Sequence, residues 1–282
     1  MGCGTSSVSV DDLKNADKFI KFCPGGYDHS IKGKTVLIAG GAKNLGALIA
    51  RSLAAEGAKA IAIHYHSDSA KSDADATIAA IEALGTKAVA FQADLTSAGE
   101  MKKLFEKTKE SIGALNIAIN TVGKVLKKPI ADTTEIEYDE MSAINAKVAF
   151  FFIQEAGRAV SNNGKILTIV TSLIGAFTPY YSTYGGSKAA VEHFTRAASK
   201  ELGSRGISVN ALGPGPMDTP FFYGQETEEA QAYHKGAAAL SPHSASGLTH
   251  VEDIIPFVRL LVSIGWWVTG QVILVNGGYT TK

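Results

Sequence analysis

Two side chains four residues apart, Tyr184 and Lys188, could carry proton transfer. On a helix, residues at this spacing share one face, so the ammonium group could lie near the phenol. A nearby positive charge lowers the pKa of a tyrosine from about 10 towards neutral pH, which would make the phenol a proton donor to a forming alkoxide. Ser172, twelve residues earlier, could hydrogen-bond the reacting oxygen. This set indicates acid-base chemistry on a carbonyl or alcohol, although roughly 0.7 Tyr/Lys pairs at this spacing are expected by chance.

A glycine-rich segment, residues 40–46, lies between an apolar run and a helical pattern. Glycine lets a backbone turn tightly and approach a phosphate, and the free N–H groups at a helix start attract negative charge. Such a turn alone is weak support, because any tight strand-to-helix connection can need glycine. Its position between a strand and a helix favours a site for a dinucleotide pyrophosphate.

Seven short apolar runs rich in β-branched residues alternate with stretches of helical periodicity, and these elements must position the side chains above. The runs are residues 35–39, 60–65, 87–92, 115–120, 165–171, 207–212 and 271–275. This alternation predicts an α/β fold with a doubly wound parallel sheet and helices on both faces. Such sheets bind ligands beyond the carboxyl ends of their strands, where the glycine segment and Ser172 are expected to lie.

Residues 34–278 resemble the short-chain dehydrogenase/reductase family, whose glycine loop reads T-G-x-x-x-G-x-G. Gly40 and Gly46 match the first and last glycines, Ala39 replaces the threonine, and Asn44 replaces the middle glycine. Asparagine tolerates a left-handed backbone better than most residues. The resemblance implies a Rossmann-type sheet of seven parallel strands in a single domain.

The resemblance also implies which residues are catalytic, since Tyr184 and Lys188 match the family's Y-x-x-x-K. The implied set is Asn145, Ser172, Tyr184 and Lys188. Relatives commonly place the serine thirteen residues before the tyrosine, so Thr171 is the alternative to Ser172. In the implied reaction, NADPH delivers hydride to a carbonyl carbon and Tyr184 donates a proton to the oxygen. Lys188 would bind the nicotinamide ribose, Asn145 would hold a water that links Lys188 to solvent, and no metal is required.

The choice of nicotinamide cofactor depends on the end of the second strand, because a carboxylate there binds a ribose 2′-hydroxyl and repels a 2′-phosphate. His64 stands at that place, Lys43 and Ser67 could reach a phosphate, and Asp68 is expected to cap the next helix. NADP(H) is therefore predicted over NAD(H). The predicted cofactor-binding residues are Gly40, Lys43, Asn44, Leu45, Gly46, His64, Ser67, Asp94, Leu95, Asn120, Gly123, Tyr184, Lys188, Pro214, Gly215, Met217 and Thr219.

Residues 216–248 are predicted to form a substrate lid, because a connection that long in a compact domain is usually functional or mobile. The aromatic and apolar side chains expected to line a mostly apolar pocket are Phe221, Phe222, Tyr223, Tyr233, Ile174, Phe177 and Tyr181. Such a pocket favours a small apolar carbonyl or alcohol.

Two alternatives stay open. A reductase of 3-oxoacyl thioesters would need a basic surface for an acyl carrier protein, which Lys124, Lys127 and Lys128 could supply. The other alternative is not an enzyme: the chain could be a catalytically silent NADP(H)-binding sensor or scaffold.

Composition excludes several other functions. The 282 residues carry a formal net charge of +0, and without a basic stripe nucleic acid is not an expected partner. The longest apolar stretch near the end, residues 254–268, is interrupted by Pro256 and Arg259 and is shorter than the ~20 residues of a transmembrane helix. Both cysteines, Cys3 and Cys23, lie near the start, outside any expected core, which favours a reducing, cytoplasmic location.

The chain is interpreted as an N-terminal extension, residues 1–33, and a dinucleotide-binding catalytic domain, residues 34–282. The start of the extension fits an N-myristoylation pattern at Gly2, with Cys3 as a possible palmitoylation site, but a polar tail explains the same residues. Family resemblance further implies a homotetramer with Trp266 and Trp267 near subunit contacts.

Overall fold

Seven strands pair in parallel in the computed structural model, which describes residues 28–281. The strands are β1 (Thr35–Ala39), β2 (Ala60–Tyr65), β3 (Lys87–Gln92), β4 (Leu115–Asn120), β5 (Val160–Ile169), β6 (Ser208–Pro214) and β7 (Val272–Val275). Their order across the sheet is β3-β2-β1-β4-β5-β6-β7. The predicted doubly wound parallel sheet is confirmed. Gly2 and Cys3, which fit lipidation patterns, lie outside the described residues.

Helices connect the strands and cover both faces of the sheet. They are α1 (Asn44–Ala55), α2 (Lys71–Glu82), α3 (Ala98–Ile112), α4 (Glu135–Met141), α5 (Val148–Ala159), α6 (Ser182–Glu201), α7 (Pro220–Tyr223), α8 (Glu228–Ala237) and α9 (Val251–Leu261). A π-helical segment, Ser142–Lys147, joins α4 to α5. None of the helices in residues 28–281 combines the length and apolar character needed to cross a membrane.

Each strand buries residues on both faces, as expected when helices cover both sides of a parallel sheet. In β1, Val36 and Ile38 pack against α1, α2 and α9, whereas Leu37 faces the layer of α3 and α5. The burial pattern of β1 has no exposed residue. Two apolar cores therefore hold the sheet rigidly between layers of helices.

The chain leaves β1 in one direction through β2 and β3, and returns to the other side of β1 through β4. The connections after β1 and β4 consequently diverge and leave a crevice at the carboxyl end of the sheet. This is where the glycine segment after β1 and the loop after β4 meet.

Two segments differ from the sequence-based prediction. Strand β5 begins at Val160, five residues before the predicted start, because polar Asn162 and Asn163 give no apolar strand pattern and the pairing register shifts between β4 and β5. The predicted lid, residues 216–248, contains α7 and α8 and is a partly helical segment. Its aromatic residues gave no clear period, so helices were not expected there.

Candidate functional site

The glycine segment after β1 depends on two glycines. Gly40 has φ of +76°, and a Cβ there would lie 2.6 Å from Thr121 Oγ1, while a Cβ on Gly46 would overlap the carbonyl oxygen of Gly40. Asn44 takes a φ of +49° at the first residue of α1. Asparagine therefore replaces a glycine at a left-handed position that it tolerates. The turn brings the start of α1 to the edge of the crevice.

His64, at the carboxyl end of β2, fixes this turn through backbone hydrogen bonds. Its Nε2–H donates to the Ala93 carbonyl at 3.0 Å, and its Nδ1 accepts from the Gly40 N–H at 3.3 Å. Burial lowers the pKa of His64 to about 4, so the ring is neutral at neutral pH. The structure places this residue, predicted to bind cofactor, in the wall of the crevice with both ring nitrogens bonded to backbone.

A large cavity fills the crevice and brings together most of the predicted cofactor-binding residues. Its volume, including the part open to solvent, is about 1190 Å³. The predicted residues that line it are Gly40, Lys43, Asn44, Leu45, Gly46, His64, Ser67, Gly123, Tyr184, Lys188, Met217 and Thr219. Tyr65, His66 and Thr121 also line it and were not predicted, and Phe221, predicted for the apolar pocket, lines this cavity as well. Tyr65 and His66 could have been predicted from the sequence, because they lie at the carboxyl end of β2, where such sheets bind ligands.

Basic and neutral groups surround the end of this cavity beside β2. Lys43, His66 and Ser67 line it, and no Asp or Glu is among its described lining residues. The Lys43 side chain is 64% exposed and lies 3.9 Å from the carboxylate of Asp73. This charge distribution suits an anionic group such as a ribose 2′-phosphate better than the diol of an unphosphorylated ribose.

Five predicted cofactor-binding residues lie outside the lining of this cavity, namely Asp94, Leu95, Asn120, Pro214 and Gly215, and the last two line a second cavity described below. Asp94 accepts hydrogen bonds from the Thr96 N–H and hydroxyl, Leu95 is buried in the core, and Asn120 accepts from the Val122 N–H at 3.0 Å. Ser97 caps α3. The expected helix cap at Asp68 is wrong, because α2 begins without a side-chain cap and Asp68 instead accepts from Gln92 Nε2.

Lys188 is buried beneath the cavity and points at backbone oxygens. Its Nζ donates to the carbonyls of Val122, at 3.1 Å, and Ile169, at 3.0 Å. Burial lowers its pKa to about 8. A Cβ on Gly123 would lie 3.0 Å from Lys188 Nζ and 3.2 Å from Asn145 Oδ1, so the missing side chain of Gly123 leaves room for both groups.

Asn145 lies in the π-helical segment between α4 and α5 and is 1% exposed. Its Nδ2 donates to the Lys124 carbonyl at 2.9 Å, and its Oδ1 accepts from the Lys124 N–H at 3.1 Å. The wider turn of a π-helix interrupts the regular helix at this residue, as is frequent at functional sites. Asn145 thus holds the loop after β4 beside Lys188.

Tyr184, in the first turn of α6, lines both this cavity and a second one. Burial raises the pKa of Tyr184 to about 12, and a hydrogen bond with the Thr171 side chain partly offsets that rise. The expectation that Lys188 lowers this pKa does not hold, since the ammonium group is bonded to backbone carbonyls. The phenol is therefore fully protonated at neutral pH.

Ser172, predicted to hydrogen-bond the reacting oxygen, is 1% exposed, and its hydroxyl donates to the Gly213 carbonyl at 3.0 Å. Thr171, the alternative, contacts the Tyr184 hydroxyl and accepts from the Leu173 N–H at 3.3 Å. Both residues line the second cavity.

The loop after β6 closes the crevice where the two cavities meet. Pro214 and Gly215 line the second cavity, and Met217 and Thr219 line both. The Thr219 hydroxyl is buried and has no hydrogen-bond partner within residues 28–281. A buried hydroxyl without a partner is costly, which marks it as a group available to a ligand.

The second cavity has a volume of about 660 Å³, including the part open to solvent, and its lining is mainly apolar. Phe221, Phe222 and Tyr181 line it as predicted, but Ile174, Phe177, Tyr223 and Tyr233 do not. Phe177 and Tyr233 are exposed, and the Tyr223 hydroxyl donates to Asp218 at 2.8 Å. The lining residues that the sequence did not indicate as site residues are Val125, Val170, Leu173, Pro216, Gln225, Glu226, His234 and Tyr279.

The three lysines considered for an acyl carrier protein are each paired with a glutamate. Lys124 pairs with Glu140, Lys127 with Glu226, and Lys128 with Glu137. Their charges are thus neutralised locally, which weakens the expected basic docking surface. Among the described residues, no group of three or more His, Cys, Asp or Glu side chains is arranged to hold a metal ion.

Comparison with known proteins agrees with this geometry. A family model described as Enoyl-(Acyl carrier protein) reductase matches residues 40–280. A short chain dehydrogenase/reductase from Aspergillus novofumigatus is 35% identical over 269 residues, which span 92% of this chain and 98% of that protein.

Solved structures show the same fold. A Burkholderia cenocepacia chain described as a dehydrogenase with bound NADP is 64% identical, with a TM-score of 0.90 over 91% of this chain and 97% of that one. A blue fluorescent protein from a metagenomic library, in complex with NADPH, is 32% identical, with a TM-score of 0.82 over 89% of this chain and 100% of that one.

Proposed function

Because the chain belongs to the short-chain dehydrogenase/reductase family, a family of oxidoreductases, we propose that it uses NADP(H) to reduce ketone or aldehyde carbonyls reversibly to alcohols. The observation that carries this proposal is the position of Tyr184, whose phenol lies where the cavity beside the glycine turn meets the apolar cavity. A protonated phenol there can serve a substrate on one side and a cofactor on the other.

The residues of the larger cavity fit a dinucleotide. Gly40 and Gly46 allow a tight turn in which a Cβ would collide with Thr121 or the Gly40 carbonyl, and this turn places the N-terminus of α1 at the cavity, where free N–H groups suit a pyrophosphate. Lys43 and Ser67 suit a 2′-phosphate, and the unpartnered Thr219 hydroxyl suits the carboxamide of a nicotinamide. Similar chains crystallised with NADP or NADPH support the same cofactor.

Bound NADPH would supply the hydride. Tyr184 would donate its proton to the carbonyl oxygen as that oxygen gains negative charge, and the hydroxyl groups of Thr171 and Ser172 would stabilise the charge by hydrogen bonding. Alcohol oxidation would follow the same path in reverse.

Lys188 and Asn145 support this proton transfer from beneath. The buried ammonium group lies one helical turn from Tyr184 and is held by the Val122 and Ile169 carbonyls. With its lowered pKa it can exchange a proton near neutral pH, and Asn145 keeps the adjacent loop in place.

The apolar lining of the smaller cavity supports a carbonyl substrate without a phosphate or an unpaired strong charge. As family resemblance implies, we expect the active form to be a homotetramer, which light scattering of the purified chain tests.

A panel of ketones and aldehydes, followed by the absorbance of NADPH, tests this function. We expect Tyr184→Phe to lower kcat about a hundredfold to ten-thousandfold, because it removes only the proton donor. NADPH affinity, measured by fluorescence titration, should change little. Tyr180→Phe is the matched control, since Tyr180 is 51% exposed and lies outside both cavities. Near-normal kcat in Tyr184→Phe would exclude the proposed role, and NADPH binding without turnover in the wild type would favour a silent sensor.

A further inference from the structure

A buried carboxylate forms part of the wall of the apolar cavity. Glu226 lies in the predicted lid between α7 and α8, its side chain is 2% exposed, and it lines the cavity together with Tyr184. Glu226 is the only Asp or Glu among the described residues that line this cavity. A charged group in such a wall is costly unless it is paired, so its partners decide what it can do.

Two side chains from elsewhere in the fold hold this carboxylate. Lys127, in the loop after β4, donates to Oε2, and the hydroxyl of Tyr181, at the start of α6, donates to Oε1. The ring of His234 lies on the third side, with Nε2 at 3.9 Å from Oε2, while its Nδ1 is 3.1 Å from the Tyr279 hydroxyl. Lys127 balances the charge of Glu226, so the cluster carries no net charge when His234 is neutral. Burial lowers the pKa of His234, which favours that neutral form.

A buried ion pair is by itself weak evidence of a stabilising role. Replacing a buried ion pair by apolar residues of similar volume is often neutral or stabilising, so a cavity meant only for hydrocarbon would gain nothing from it. The pair therefore marks a place where the cavity needs polarity.

The cluster lies close to the proposed catalytic residues. Tyr181 precedes Tyr184 by three residues at the start of α6, so the two side chains are neighbours on the helix end, and both line the cavity. The cavity consequently has a carbonyl end, at Thr171, Ser172 and Tyr184, and a second polar position at Glu226. Apolar side chains such as Leu173 and Phe222 line the same cavity.

The second position can accept a hydrogen bond but is poorly suited to donate one. A carboxylate has about four lone-pair positions, and Tyr181 and Lys127 occupy two of them. The Tyr181 hydroxyl already donates its hydrogen bond to Glu226, and Lys127 does not line the cavity, so neither group is available as a donor to a ligand. Because Lys127 already neutralises the carboxylate, a neutral donor suits the site better than a second cation.

We propose that Glu226 is a specificity-determining residue that accepts a hydrogen bond from a hydroxyl group of the substrate, so that the enzyme reduces hydroxylated carbonyl compounds. This inference rests on the proposed carbonyl reduction, because it assigns the substrate class of the same cavity. A substrate without the hydroxyl makes no hydrogen bond to the carboxylate, so it is expected to bind less tightly than a hydroxylated one.

Rigid bicyclic ketones provide the test. 1-Tetralone, its aromatic-ring hydroxy derivatives and their methyl ethers place a hydroxyl at fixed directions from the carbonyl. Dissociation constants for these compounds, measured by calorimetry on enzyme saturated with NADP⁺, report binding even if turnover is slow. We expect at least one hydroxytetralone to bind about tenfold or more tightly than its methyl ether, and the same preference in KM.

Glu226→Gln should reduce that preference several-fold while changing the affinity for unsubstituted 1-tetralone by less than about twofold. Glu228→Gln is the matched control, because it removes the same charge from an exposed residue at the start of α8, two positions after Glu226. An equal loss of affinity for all ketones in Glu226→Gln would show that the residue only holds the lid, and would overturn the inference. Absence of any hydroxyl preference in the wild type would overturn it without relying on a variant.

The outcomes separate this inference from the proposed function. If no carbonyl is reduced but hydroxytetralones bind preferentially through Glu226, the proposed reaction fails and the recognition site stands. If ketones are reduced without hydroxyl preference, the reaction stands and the inference fails.

Discussion

The phenol of Tyr184 is hydrogen-bonded to the side chain of Thr171, while the hydroxyl of the next residue, Ser172, is bonded to the Gly213 carbonyl. Extended backbone at Thr171, with φ of −150° and ψ of 152°, directs these consecutive side chains to different partners. The two hydroxyl groups at the end of β5 therefore have distinct surroundings in the same cavity.

This difference predicts distinct effects of Thr171→Val and Ser172→Ala. The Thr171 hydrogen bond lowers the pKa of Tyr184, so its removal should raise that pKa and shift the pH profile of alcohol oxidation by NADP⁺ to higher pH. We expect kcat to fall about tenfold or more in both variants, since each hydroxyl can stabilise the reacting oxygen. A pH shift in Ser172→Ala alone would assign the phenol's partner to Ser172 instead.

The turn after β1 predicts that Gly46→Ala disrupts cofactor binding. A Cβ at Gly46 would overlap the Gly40 carbonyl oxygen, so the turn must move, at an expected cost in the free energy of unfolding of about 1–3 kcal/mol. NADPH affinity should fall more than tenfold, as a fluorescence titration would show. Gly99→Ala, at the start of α3, is the control, because its Cβ would be no closer than 3.7 Å to a neighbour. Equal NADPH affinities in the two variants would contradict the prediction.

Lys43 should determine part of the preference for NADPH over NADH. We expect Lys43→Ala to lower kcat/KM for NADPH about tenfold and to leave the value for NADH nearly unchanged, because only NADPH carries the 2′-phosphate. Lys102→Ala is a suitable control, since Lys102 is similarly exposed and lies on α3, away from the cavity. An unchanged NADPH/NADH ratio would remove Lys43 from the site.

His64 predicts a loss of stability in mild acid. Its pKa is about 4 in the fold against 6.5 for an ordinary histidine, so the stabilisation is present above pH 6.5 and is lost as the pH falls towards 4. For this one group the loss between pH 7 and pH 5 is about 2 kcal/mol. His64→Gln can keep one of the two backbone hydrogen bonds without titrating. Urea unfolding at both pH values should show a smaller loss for this variant than for the wild type, and an equal loss would exclude His64 as the cause.

The architecture and the principal motifs were readable from the sequence. The alternation of apolar runs and helical periods predicts the parallel sheet, because strands buried on both faces are continuous apolar runs, whereas the helices between them keep a helical period. Gly40, Gly46, Tyr184 and Lys188 were recognisable because each needs a particular residue type at a particular spacing. Asn44 was recognisable as a glycine substitute for the same reason.

Only the tertiary structure decided which groups meet at the site. Hydrogen bonds in the site join segments up to 99 residues apart. They link Lys188 to backbone carbonyls, Tyr184 to Thr171, and Glu226 to Lys127 and Tyr181. No local pattern encodes such contacts, because they depend on how strand ends and loops pack after the sheet has formed. Burial then sets the protonation of Tyr184 and His64, and burial is a property of the assembled fold.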